Sequence, residues 1–394
     1  MPNADFFYGI LDLGLWGYVI VAFLMVQFTF MAVTVYLHRD ATHRSVDLCP
    51  ALRHVFRFWL WTSSGINTRE WVAVHRKHHA ACETSEDPHS PMVYGLKKVL
   101  LEGAELYRAA ADDPQLLQKY GRGAPDDWIE RHLYASHRNL GIVLMVIADL
   151  ALFGIPGITI VGVQMLANPL FAAGVINGLG HHTGYRNFEC PDAARNVVPW
   201  GLLIGGEELH NNHHAFPSSA KFSIRPWELD IGWFYIRMFQ WLGLARVIRV
   251  APTPVKTAPR EQVDLGVLRA VIVNRMHVTR EYAQHVIVPV FKEQLRCRRS
   301  AMSRRFKRLL IREPTLLNQQ ARATLQHLLA QNHELKTVYE FRERLRALWG
   351  TARSSNEALL TQFSDWLTQA ERSGVDALQE FARNLRSYAW PSAT

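Results

Sequence analysis

The chain alternates long apolar stretches with short polar ones crowded with histidine. Leu13 to Leu37 runs for 25 residues without an Asp, Glu, Lys, Arg or His. At 1.5 Å per residue this is roughly 37 Å of helix, enough to cross a hydrocarbon core of ~30 Å with some tilt. The apolar run from 140 to 181 is broken by Gly154-Ile155-Pro156-Gly157, which predicts two crossing helices, 140–155 and 158–181, joined by a tight turn. Residues 51–66 are apolar but carry Arg53, His54 and Arg57, a pattern that suits a helix lying in the interface. Residues 223–250 hold Trp227, Trp233, Phe234, Tyr235 and Trp241, side chains that gather at a lipid–water boundary. Polar residues with Pro, Asp and Gly punctuation predict loops and short helices over 84–138. Beyond 251, apolar positions recur at helical spacing (Leu265, Leu268, Val271, Ile272; Leu359, Phe363, Leu367). The expected fold is all-α: about three membrane spans plus interfacial helices, capped by a cytoplasmic helical region, with a soluble helical module over 251–394.

Charge sharpens this division. Residues 251–394 carry 23 Lys+Arg and 13 Asp+Glu, whereas residues 1–250 carry 21 and 22, so the whole net charge of +9 belongs to the C-terminal part. Asp5 and Asp12 precede the first span, and Arg39, Arg44, Arg53 and Arg57 follow it, which sets the histidine-rich side in the cytoplasm. The N-terminus has neither the basic start nor the small-residue cleavage site of a secretory signal, so this span is expected to remain. Cys49, Cys82, Cys190 and Cys297 lie far apart with no Cys-x-x-Cys pair, which argues against a thiolate zinc site and against a disulfide framework.

The histidines carry the chemistry. In His75-Arg-Lys-His78-His79, positions i, i+3 and i+4 fall on one helix face, and His210-Asn-Asn-His213-His214 repeats the pattern. His38 and His43 are five apart, roughly 140° round an α-helix. Both can face one centre only if His38 ends a helix and His43 bends back from the loop after it. With Asn177-x3-His181 these blocks exceed the shell of one ion, since zinc takes four ligands, and they predict a site for two metals. Imidazole suits Zn, Cu, Fe and Ni, so ligand type alone leaves the metal open. Beside an apolar interior, a redox pair can activate O2 next to a lipid chain. Asp87, Glu207 and Glu208 are expected to orient ligand N–H groups. The histidines His54, His89, His132 and His137 stand alone, and surface or supporting roles are expected of them.

At these blocks the chain resembles the membrane fatty acid desaturases, in particular the bacterial stearoyl-CoA (Δ9 acyl-CoA) type. The resemblance covers residues 13–245. It rests on His38-x4-His43, on Trp71-x3-His75-Arg-x-His78-His79 with Asp87-Pro88-His89, on Asn177-x3-His181-x2-Gly184-Tyr185-Arg186, and on Gly206-Glu207-x2-His210-Asn211-x-His213-His214-x-Phe216-Pro217. It implies that two iron ions and O2 insert a cis double bond into a saturated long-chain fatty acyl-CoA, with an acyl-lipid (phospholipid) desaturase or a related membrane hydroxylase as the alternatives. The implied ligands are His38, His43, His75, His78, His79, His181, His210, His213 and His214, with Asn177 acting through a water. Trp71 would lie beside the bound chain, His89 matches a position that is not a ligand, and His182 has no counterpart. For such a substrate, unactivated C–H bonds offer no charge to grip, so selectivity would come from an apolar tunnel walled by helices 13–37 and 140–181, with the CoA phosphates or a lipid head group meeting Arg69, Arg76, Lys77 or Arg186.

The resemblance further implies a multi-pass protein of the inner (cytoplasmic) membrane with its site on the cytoplasmic side. Animal members have another span before the first histidine block, so three spans are expected here instead of four. No His-Pro-Gly-Gly haem motif occurs, so electrons should come from a separate reductase of flavin or iron–sulfur type. The chain divides into a desaturase domain, 1–250, and a basic helical region, 251–394. In the latter, Arg296 to Arg308 has seven basic residues in thirteen, a solvated face or a contact for anionic lipid or an acidic partner. With no zinc-finger or RNP signature, a nucleic-acid partner is not expected.

Overall fold

The computed structural model describes residues 5–294, 301–350 and 355–390. The chain forms two compact units, Met1–Arg186 with Ala193–Ala251, and Asn187–Asp192 with Pro252–Thr394. The first unit is built on α1 (Leu15–Met31), α2 (Pro50–Ser64), α3 (Thr68–Ala81), α4 (Leu96–Ala111), α5 (Arg138–Phe153), α6 (Ile155–Ala167), α7 (His210–Ala215) and α8 (Ile231–Trp241).

Two of these helices run on without a break as π-helices, α1 through Ala32–Thr42 and α6 through Asn168–Leu179. Among the described residues, the resulting Leu15–Thr42 and Ile155–Leu179 are the two helices long and apolar enough to cross a membrane. The expected third span is α5, which has 16 residues. That is about 24 Å of rise, short of the ~30 Å core. Its outward face is nonetheless apolar, with Leu140, Val143, Leu144 and Ile147 exposed.

The interfacial stretch 51–66 becomes α2, opened by Pro50 and closed by Gly65 in the left-handed conformation at φ +63°. Its Arg57 is buried. The guanidinium donates to Asp127 at 2.5 and 3.0 Å and to Glu130 at 2.8 Å, so the charge that interrupts the apolar face is neutralised within the protein. The polar stretch 84–138 holds more structure than its composition suggests. There α4 is a 16-residue helix with Val99, Gly103 and Ala111 buried. It lies close against the π-helix Asn168–Leu179: a Cβ on Gly103 would stand 3.1 Å from the Ala173 backbone, and one on Gly174 would stand 2.8 Å from the Leu100 carbonyl oxygen. The aromatic stretch 223–250 contains α8, with Trp227, Phe234 and Trp241 exposed. Among the described residues, three short ladders supplement the helices. Val46–Leu48 pairs antiparallel with Ala245–Val247, Trp200–Gly201 pairs parallel with Leu229–Asp230, and Val255–Lys256 pairs antiparallel with Tyr388–Ala389.

One internal anchor ties the first π-helix to the rest of its unit. Arg39 is fully buried, donates to both carboxylate oxygens of Asp230 and to the Ala220 carbonyl, and lies 3.8 Å from the centre of the Phe222 ring. It fixes the segment bearing His38 against the loop that follows α7.

The second unit is helical around a core that includes Tyr282, Trp366 and Phe381. The Tyr282 hydroxyl donates to the Val338 carbonyl at 2.7 Å, and the Trp366 indole to that of Phe341 at 3.0 Å. Of the basic run, 296–300 lies outside the described residues; the remainder falls in the helix Ala301–Ile311, with Arg304, Arg305, Lys307 and Arg308 exposed. Cys49, Cys82 and Cys190 form no disulfide, and Cys297 lies outside the described residues.

The close α4 contact predicts that Gly174→Val lowers stability by about 1–3 kcal/mol through overpacking. Gly162→Val, on the same spanning helix but with nothing within 4 Å of its added Cβ, should leave the thermal unfolding midpoint in detergent unchanged.

Candidate metal centre

The two histidines five apart converge by a route other than a bend. The π-helix bonds residue i to i+5 and so brings residues five apart nearly one above the other. His43 N donates to the His38 carbonyl at 3.0 Å, and the Thr42 hydroxyl to that of Leu37 at 2.7 Å. His38, within the continuous helix, and His43, its C-cap, therefore share a face, with ring centres 4.9 Å apart. Their partners come from α3, whose N-cap Asn67 accepts from the Glu70 N–H, and from α7.

In the first cluster the Nε2 atoms run from His38 to His213 (3.0 Å), His213 to His79 (2.9 Å), His79 to His75 (3.1 Å) and His75 to His43 (3.1 Å). The second cluster joins His181 to His210 (2.9 Å) and His210 to His214 (3.1 Å) through Nε2, with the His78 ring 4.9 Å from that of His181. The clusters adjoin, since the His79 and His214 rings stack at 4.5 Å.

Carboxylates stand behind the rings. Glu207 lies 2.7 Å from His38 Nδ1, Asp87 lies 3.0 Å from His78 Nδ1, and Glu83 lies 2.9 Å from His181 Nδ1. Glu83 was not legible as a partner, because it precedes the Asp-Pro-His block and comes near His181 only through the chain's return. Glu208, expected in the same role, instead accepts the backbone N–H groups of Leu203, Ile204 and Gly206 and shapes the loop before α7. Cys82, read from the sequence as remote from metal chemistry, sits 3.9 Å from both His78 Nε2 and His181 Nδ1. Its position four residues after His78 on α3 was the available signal.

The electrostatics favour neutral rings. Burial, then the neighbouring rings, pushes His75, His79, His210, His213 and His214 well below the usual imidazole value, and Arg76 adds to that effect at His43. At Asp87 burial raises the carboxyl, but His78 outweighs it and holds the group below the usual carboxylate range. At Glu207 burial is outweighed in the same way by His38. His89, stacked on His78 at 4.5 Å, is pushed down to about 3 by burial and then by His78.

The donor set fits metal ions. A carboxylate cannot donate, so the Nδ1 atoms facing Glu207, Asp87 and Glu83 carry the protons, and the Nε2 lone pairs of His38, His78 and His181 are bare. Such lone pairs are available to a cation, and the Nε2 atoms of His38 and His181 lie about 3 Å from the next ring's Nε2. Donors ~2.1 Å from one ion are about 3.0 Å apart at right angles and about 3.4 Å apart in a tetrahedron. Separations of 2.9–3.1 Å are short enough for neighbouring Nε2 atoms to share one ion.

A cavity of about 430 Å³ touches both clusters. His38 and His75 of the first, His210 of the second, Asn177 and Glu207 all line it, with Trp71 stacked 4.8 Å from His75. Its walls are Phe30, Val33, Val74, Ile142, Ala173 and Ile176, and Arg108, Arg138 and Asn139 line its exposed end. The three arginines expected at the head group are not among the lining residues. Arg76 is spent on the carbonyls of Ala41, Thr42, Tyr120 and Arg122, and Arg186 donates to that of Ala194. Arg69 lies off the cavity.

Comparison with known proteins bears on the same elements. Residues 14–237, more than half of the chain, match the profile of the family described as Fatty acid desaturase. The chain belongs to that family. Delta-9 acyl-lipid desaturase 2 of Arabidopsis thaliana is 30% identical over 239 residues, covering 60% of this desaturase and 76% of the relative. An sn-1 stearoyl-lipid 9-desaturase of Synechocystis sp. is 31% identical over 242 residues, covering 60% and 73%. An acyl-CoA 5-desaturase of Anemone leveillei is 31% identical over 229 residues, covering 55% and 67%. Within the second unit, residues 269–391 match the profile of a different family, described as Transposase.

If Asp87 fixes the His78 tautomer, Asp87→Asn should weaken metal retention about 10–100-fold. His182→Ala should change it little, because that ring is exposed and bonded to Thr183. Metal analysis after dialysis against graded chelators reads both. Histidines pushed down in the fold take up protons less readily than in the unfolded chain. Stability of the metal-free desaturase should therefore be full above the ordinary histidine range and fall as pH drops through about 6.5, as thermal unfolding across pH would record.

Proposed function

We propose that this desaturase uses O2 to introduce a cis double bond, at Δ9, into a saturated long-chain fatty acyl-CoA. The observation carrying the proposal is that one apolar cavity abuts both histidine clusters, so a methylene pair held there faces both metal positions at once. Two iron ions would be held by His38, His43, His75, His79 and His213 on one side and by His78, His181, His210 and His214 on the other, with Asn177 reaching the second through a water. When bound, the iron pair supplies the oxidising power that removes two hydrogens from the chain with O2 and two electrons. A separate reductase, of flavin or iron–sulfur type, supplies those electrons.

The protein's own work is holding and excluding. Asp87, Glu83 and Glu207 keep the ring nitrogens bare and aimed. Trp71 and the walls around it keep water from the reacting methylenes and allow one extended chain to lie past the metals. Selectivity comes from how far the chain runs before it stops, because nothing along it can be hydrogen-bonded. Arg108 and Arg138, the latter paired with Glu70, would meet an anionic head group at the exposed end in place of Arg69, Arg76 and Arg186. The reaction belongs to residues 1–250, on the cytoplasmic face of the inner membrane, and the basic region 251–394 stands apart from it. A second reading, desaturation of chains already on membrane lipid, is favoured by the names of the Arabidopsis and Synechocystis relatives.

Membranes containing the desaturase, an electron source and O2 should convert labelled stearoyl-CoA to the Δ9 product while acyl transfer to lipid is blocked. Label appearing only in phospholipid chains would select the second reading, and no unsaturation in either pool would overturn both. Arg108→Ala should raise KM for the CoA ester about tenfold with kcat nearly unchanged, the pattern of lost uniform binding.

A further inference from the structure

The end of the cavity away from the exposed arginines carries a polar group that an apolar tunnel does not need. Gln164, on α6, is 4% exposed and lines the cavity. Its carbonyl oxygen has no hydrogen-bond partner, and its amide nitrogen reaches only the Met25 sulfur, at 3.8 Å. Its helix neighbour Ala167, and Val26 beside Met25, belong to a buried apolar cluster with Phe30, Ile176 and Ile204. A buried amide left unsatisfied in such a setting is costly, and apolar wall residues would have avoided it.

Its depth follows from two helices independently. Gln164 precedes Asn177 by thirteen residues on one spanning helix, and Met25 precedes His38 by thirteen on the other. Both separations amount to roughly 15–20 Å along the helix axis, less than the ideal α-helical rise because part of each is π-helix. Asn177 and His38 line the cavity at the histidine clusters, so the amide lies a long acyl segment beyond them. Asn168, one turn further along the helix, lines the same wall and offers a second polar side chain. An amide pair of this kind holds water more readily than a terminal methyl does.

We infer that Gln164 is the specificity-determining floor of the acyl cavity and sets the longest chain the protein accepts. The inference rests on the cavity being the acyl site proposed above. A saturated chain gains affinity about fourfold with each methylene it buries. That gain stops where the next methylene must displace water from Gln164 and leave its carbonyl dry. An apolar side chain of similar size removes this penalty without deepening the cavity, and a smaller one deepens it.

The test uses the full-length protein in detergent, without O2, and a series of even-numbered saturated fatty acids and their CoA thioesters bracketing stearoyl. Thermal stabilisation by each ligand gives affinity against chain length. For the wild type, affinity should climb and then break at one length. Gln164→Ala should move that break to longer chains by about two methylenes. Gln164→Leu should keep the rise continuing past the wild-type break, with the first longer chain bound several-fold more tightly. Since Gln164→Leu replaces an unsatisfied amide by an apolar group of similar size, it keeps the test decisive if the alanine variant does not fold. An identical break in all three proteins, or no dependence on chain length in the wild type, would overturn the inference. A break that moves while no unsaturated product ever forms would leave the floor intact and remove the desaturase reading instead.

Discussion

Ring nitrogens held about 3 Å apart in a largely buried interior are what the first unit is arranged to tolerate. Where neighbouring Nε2 atoms both carry bare lone pairs they repel, and burial pushes His75, His79, His210, His213 and His214 away from the protonated form that would relieve the crowding. Cations among the rings make this arrangement favourable. The carboxylates behind His38, His78 and His181 raise the demand further, because by holding the Nδ1 protons they commit the other nitrogens to being donors of electron pairs. The centre is thus poised as a metal site by its own hydrogen bonding.

Holding that arrangement requires unusual backbone. Two apolar helices pass from α to π geometry as they approach the clusters, and the change of pitch aims His38 with His43 and carries Asn177 to the cavity wall. A π segment is less favourable than the α-helix it replaces, so other contacts must hold it. Arg39, clamped between Asp230 and Phe222, does this for the first helix, and the close contact of Gly103 and Gly174 with their neighbours does it for the second. The cavity lies between these two helices and the metal-facing rings, which is why its shape and the positions of the clusters depend on the same contacts.

Much of the site was readable before any coordinates, because α-helical spacing turns His-x-x-His-His into a geometric statement. The apolar run of α1 was equally plain. What escaped had physical reasons. The His38–His43 spacing was read with α-helical pitch, and a π-helix obeys another. Glu83 reaches His181 through long-range folding that leaves no local periodicity, whereas Cys82 does stand four residues after His78 but lacks the second cysteine of a Cys-x-x-Cys pair. The arginines nearest the histidines in sequence are consumed by backbone carbonyls, whereas Arg108 and Arg138, distant in sequence, line the cavity. α4 was hidden by its glycine and its charges, which look like loop but serve close packing. α5 had the composition of a span without the length.

The proposed reaction depends on nine imidazoles holding two ions in nitrogen-rich shells. X-ray absorption on the purified, active protein, combined with metal analysis, addresses it directly. Two irons per chain with a first shell of nitrogen and oxygen scatterers is the expected result. A single tetrahedral zinc per fully active chain would contradict it.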